Sequence, residues 1–151
     1  MHSGKNICIV GILLGLLSME SAIAQSDRIG QFRNVSGEAF VVRGDIREPA
    51  AIGGVVHRQD TIETGANGAI GITFDDNTIF SAGPNSSVQL EDYKFNPATL
   101  KGTFLAKLGK GTLSVISGDI ARGSPEAMKI RTPSAILGVR GTRFLVRVDE
   151  Q

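Results

Sequence analysis

The chain has 151 residues, 41% of them hydrophobic and 5% aromatic, with 19 glycines, no tryptophan and a formal net charge of +1. Its 16 Lys and Arg against 15 Asp and Glu exclude a protein built to coat nucleic acid or an anionic membrane, both of which need a strong basic excess. The length supports one domain with a real core rather than two.

In chain order, the first element reads as an export signal. Lys5 precedes an apolar run from Ile7 to Leu17, and Ala22-Ile23-Ala24 offers small residues where a signal peptidase reads. A helix needs roughly 20 apolar residues to span a bilayer, about twice what this run supplies. The expectation is therefore a cleaved signal peptide over 1–24, with no stable membrane span in the mature chain. Cys8 lacks the small residues just upstream that lipid attachment requires. Cleavage would leave 151 − 24 = 127 residues, with 15 basic and 14 acidic side chains once Lys5 and Glu20 are gone. It also removes Cys8, the one cysteine, so the mature fold is expected to rest on packing without a disulfide.

Residues 25–34 read as a short polar lead-in, 35–148 as the domain and 149–151 as a tail. The passage from Gly44 to Gly54, with Pro49 and paired glycines, looks like a loop. After it come short apolar runs of period two. Ile70, Ile72 and Phe74 share one face, Asp75-Asp76-Asn77 suits a tight turn, and Ile79 begins a run that stops at Gly83-Pro84-Asn85, which together predict a hairpin. Val88 and Leu90 alternate next, followed by an Asn96-Pro97-Ala98-Thr99 break. Phe104, Ala106 and Leu108 predict a strand, Gly109-Lys110-Gly111 a turn, and Leu113 with Val115 another strand toward Ser117-Gly118-Asp119. At the end, Phe144, Val146 and Val148 point one way while Arg143 and Arg147 point the other. No window repeats apolar residues at helical spacing. The predicted fold is therefore all-β, a single compact β roll or sandwich, jelly-roll-like or β-helical.

The residues that could carry chemistry are few. Past the signal, His57 is the one histidine, beside Arg58 and Asp60 in a polar passage, and it reads as a surface residue. With no cysteine, the usual zinc ligands are missing, and no Ser-His-acid triad can be assembled. Asp75-Asp76-Asn77 and Glu91-Asp92 are the acidic clusters to weigh as a calcium site or a carboxylate pair. Turn chemistry explains them better, because Asp and Asn hydrogen-bond their own backbone. No catalytic residue, cofactor or metal is expected.

Gly138-Val139-Arg140-Gly141 lacks the lysine and Ser/Thr spacing of a phosphate loop. Gly138, Arg140, Gly141 and Thr142 read instead as a structural turn, in which the glycines permit positive φ or close backbone approach and Thr142 restarts the strand. Arg140 either braces this turn as a buried fork, the favoured reading, or contacts a partner. Arg131, Arg143 and Arg147 form a candidate basic stripe for a polysaccharide or an acidic protein patch. A last strand at a sheet edge could alternatively receive a strand from another chain.

The segment Met128 to Val148, MKIRTPSAILGVRGTRFLVRV, resembles the FecR domain family. The resemblance runs from about Val35 to Val148. It takes in Asp60 to Gly65, Ala69 to Ile79 with its Asp75-Asp76-Asn77 turn, Pro84 to Val88, Leu108 to Ser117, Ile130 to Ala135 and Gly138 to Phe144. Members are secreted or periplasmic all-β modules, best known from the outer half of bacterial regulators that relay a signal from an outer-membrane receptor to a sigma factor. In those regulators a cytoplasmic helical segment and one membrane helix precede the domain and a receptor-docking domain follows it. This chain reads as the bare module, so the resemblance does not imply that it carries a signal across the inner membrane by itself. It implies an exported, periplasmic or secreted, non-enzymatic module that contacts another envelope protein or an envelope polymer. Two readings compete with it: a carbohydrate-active or metal-dependent periplasmic enzyme, and an accessory component of cell-surface signalling.

Overall fold

The computed structural model describes residues 27–141 and 143–150. The expected signal peptide over 1–24 and Thr142 lie outside the described residues. Six strands make up the first half: β1 (Arg28–Ser36), β2 (Ala39–Arg43), β3 (Ile46–Pro49), β4 (Val55–His57), β5 (Thr61–Thr64) and β6 (Ala69–Phe74). The second half holds β7 (Ile79–Ala82), β8 (Ser87–Asn96), β9 (Lys101–Ile116), a single-turn helix α1 (Asp119–Gly123), β10 (Met128–Arg131), β11 (Ile136–Gly138) and β12 (Arg143–Val148). All twelve strands join one sheet in the order β3-β2-β5-β8-β9-β7-β6-β1-β4, with β10 and β12 also on β9, and β11 on β10. The all-β expectation holds, and the sheet is curled into a half-barrel.

The β9 strand makes the curl possible. Its 16 residues pair with β8 along the first part and with β7 along the last, while β10 and β12 flank its other edge. Two limbs thus share one strand, bent at Gly111. Gly111 has φ +88°, and a Cβ there would collide with the backbone and hydroxyl of Ser86, so a left-handed, tightly approached position excludes other residues. This corrects the expected turn at Gly109-Lys110-Gly111. The chain bends there and continues as one strand, because each side of the bend still finds partner strands for its backbone groups.

Inside the curl, alternate residues of both limbs meet. Phe74 on β6 and Phe80 on β7 pack against Phe104 on β9 at centroid distances of 4.7 and 5.1 Å, and Tyr93 on β8 reaches Phe104 at 5.0 Å. Leu108, Leu113, Val115, Met128 and Ile130 are fully buried beside them. The β6–β7 hairpin forms as expected, with Ile70 opposite Ala82 and Ile72 opposite Phe80.

Two further passages differ from expectation. The lead-in gives most of β1, whose Ile29 and Phe32 are buried between β4 and β6; a register shift between Phe32 and Asn34 breaks the period of two and hides the strand in the sequence. The loop-like Gly44 to Gly54 contains β3, an edge strand closed by Pro49. From there residues 50–54 cross to the other limb, with Ala50 N–H donating to Ala39 O, Gly53 N–H to Phe32 O and Phe32 N–H to Gly54 O. That side of the fold is laced shut. On the opposite side β11 and β12 each have one unpaired edge among the described residues. There the chain crosses between limbs through Val139, whose N–H donates to Met128 O, and Gly141, whose carbonyl accepts from Ser117 Oγ at 2.6 Å.

Candidate interaction face

On the limb ending in β12, the residues that point away from the core form cross-strand rows. Ile79 on β7 stands opposite Ile116 on β9, and Ile116 opposite Arg143 on β12; in the next row Ser81, Ser114 and Leu145 align, and Thr112 faces Arg147. Directly opposed residues share a face of the sheet, so Ile79, Ile116 and Leu145 form one apolar path edged by two guanidinium groups. Leu145 is 67% exposed and Ile79 36%. The expected parity of the last strand is seen here: Val146 is buried, Phe144 and Val148 half-buried, Arg143 and Arg147 exposed. Behind β12, Pro133, Leu137, Val146 and Val148 line a cleft of about 710 Å³ between the β10–β11 turn and the end of β12. Lys110 and Arg147 stand at its rim, paired with Glu150 at 3.2 Å and Asp149 at 2.8 Å.

Arg131 does not join this row. It belongs to β10, opposite Lys107 on the other limb and beyond the bend at Gly111, and its guanidinium lies 3.5 Å from Glu91. The candidate stripe is thus Arg143 and Arg147 with Leu145 between them. In the turn before β12, Gly141 has φ +104° and open space around it, so its need for glycine is one of backbone conformation. Gly138 has equally open space where a side chain would stand, so its pairing with Lys129 on β10 does not depend on the missing side chain. Arg140 is exposed, and its guanidinium makes no hydrogen bond or ion pair among the described residues. A bracing fork therefore finds nothing to brace.

The acidic clusters are tied into the scaffold. Asp76 is fully buried and accepts hydrogen bonds from Thr78 Oγ at 2.7 Å, Thr78 N–H at 3.2 Å, Tyr93 Oη at 3.3 Å and Ile120 N–H at 3.4 Å. This joins the β6–β7 turn to β8 and α1. Burial, and then the Asp76 charge, push the Tyr93 hydroxyl well above its ordinary range, so it stays a neutral donor. Asp92 accepts from Thr103, and Glu91 takes Arg131.

His57 is half-buried. Its backbone N–H donates to Asp60 Oδ2 at 2.8 Å, and its Nδ1 lies 4.0 Å from the same oxygen without a hydrogen-bond partner. Asp60, fully buried, also takes a bidentate pair from Arg43 at 2.8 Å to each oxygen, and this bonding holds the Arg43 guanidinium above its ordinary pKa. Sequence reasoning singled out neither Asp76 nor the Arg43–Asp60 pair as structural hubs. Their partners on other elements, Arg43 for Asp60 and Tyr93 and Ile120 for Asp76, lie 17 or more residues away, and no local pattern announces them. Among the described residues no three His, Cys, Asp or Glu side chains converge to hold a metal ion.

The FecR protein family model matches residues 60–151, more than half of the chain. This protein therefore belongs to the FecR family. The match begins at Asp60 rather than near Val35, leaving β1 to β4 outside it. No curated protein and no solved structure matches the chain.

Proposed function

We propose that this chain is an exported, non-enzymatic FecR-domain interaction module of the periplasm or cell surface, contributing to envelope signalling by holding another envelope protein. The observation that carries the reading is the diagonal path of Ile79, Ile116 and Leu145 over two adjacent cross-strand rows, bounded by Arg143 and Arg147. Neighbouring apolar side chains on three strands, with Leu145 and Ile79 exposed and Ile116 half-buried, favour a contact surface, and the arginines select an acidic rim on the partner. Family membership supports a role in signalling, and no helix among the described residues is long and apolar enough to cross a membrane. The acidic groups that motivate an enzyme reading are engaged in turns and hydrogen bonds.

The test places a photo-crosslinking residue at Ser81, in the middle of the face, in cells that make the exported chain. One discrete adduct, distinct in mass from a pair of copies and lost in R143E/R147E, is the expected result. An adduct that survives the charge reversal, or that forms equally from Gln89 on the other limb, would overturn the assignment of the face.

A further inference from the structure

We infer that the free edge of β12 pairs with the same edge of a second copy, in a single antiparallel register. Among the described residues the sheet has four edges, and they are not alike. The β3 edge has four residues and ends in Pro49, while β4 and β11 have three residues each. These are short or blunted edges of the kind that resist strand addition. The β12 strand has six residues, no proline, no register shift against β9 and an exposed leucine at its centre. It offers a row of unpaired backbone donors and acceptors, which an added strand satisfies.

Its side chains choose the occupant. In an antiparallel pair, opposed residues share a face, so two copies related by a twofold axis set odd-numbered positions opposite odd ones. Centred on Leu145, Arg143 would oppose Arg147 twice. Centred on Arg147, two Arg147 side chains would meet, and centred on Phe144 no opposite charges would meet. Centred on Val146, Arg143 opposes Asp149 of the other copy, twice by symmetry; Phe144 opposes Val148, and Val146 opposes its own mate. Asp149 already stands on the required face, exposed and 2.8 Å from Arg147, so it can bridge that residue and the incoming Arg143. Leu145 gains a diagonal contact with its symmetry mate. The same segment is thus complementary to itself, as an isologous interface requires, and pairing would make the interaction face continuous across two copies.

This inference is independent of any envelope partner, because it is measured on the purified exported chain alone. Sedimentation equilibrium should show a monomer–dimer equilibrium that weakens with added salt. R143E and D149R should each weaken association by roughly tenfold or more, since two attractive pairs become repulsive. R143E/D149R restores the pairs in reverse and should return the wild-type affinity. Both changes sit on exposed side chains, and an unchanged circular dichroism spectrum checks that each variant folds. A chain that stays monomeric at every concentration, a dimer indifferent to the single reversals, or a double variant no tighter than the singles would each overturn the proposal.

Discussion

Asp60 is the residue whose burial most needs a partner. Its carboxylate has no exposure to water and depends on Arg43, with the His57 amide as a third donor. Arg43 itself is 46% exposed, so the two halves of the pair are unequal. Deleting Asp60 returns a guanidinium to solvent at little cost, whereas deleting Arg43 strands a buried charge. We predict that R43A lowers stability by about 2 kcal/mol, below the range for a wholly buried pair because water reaches the vacated site. R43A/D60N should be more stable than R43A alone. Urea melts of the two variants decide it: a double variant weaker than R43A would mean that Asp60 is not a charge in need of compensation.

At the scale of the element, what the sequence reveals depends on whether its signal is local. The β6–β7 hairpin is legible because Ile70, Ile72 and Phe74 alternate next to a turn whose Asn77 takes φ +66°, a conformation asparagine tolerates. The same holds for β12, whose parity places Arg143 and Arg147 correctly. The β1 strand is hidden by its bulge, and β9 reads as two strands because glycines at 109 and 111 look like a turn when the flanking partners are unknown. The candidate interaction face is legible in sequence only along β12; Ile79 and Ile116 become its neighbours through pairings between strands far apart in the chain. Depth also differs between elements that look alike in sequence. Phe74 packs against three other aromatic rings, while Phe144 lies half-buried on an edge strand. F74A should therefore cost about 3–5 kcal/mol. F144A should cost about 1–2 kcal/mol, in proportion to the smaller apolar area it removes from the core. Equal denaturation midpoints for the two variants would show that the edge strand packs as deeply as the centre.

For the whole molecule, the family boundary and the physical boundary do not coincide. The matched segment begins at Asp60, yet β1 covers the edge of β6 and β2 covers the edge of β5. Ile29, Phe32, Val41 and Val56, all before residue 60, are buried in the common core. Removing residues 27–59 would bare two sheet edges and uncover Ile62, Ile70 and Ile72 from one side. Bare edges beside exposed apolar residues favour association over folding. It would also remove Arg43 and leave Asp60 unpaired. We predict that residues 27–151 unfold in one cooperative transition, seen at the same urea concentration by far-ultraviolet circular dichroism and by the fluorescence of Tyr93, the single tyrosine in a chain without tryptophan. Residues 60–151 should give no such transition and should aggregate. A soluble 60–151 fragment that melts cooperatively would show that β1 to β4 are an addition to a domain complete without them, and that the core closes around β9 alone.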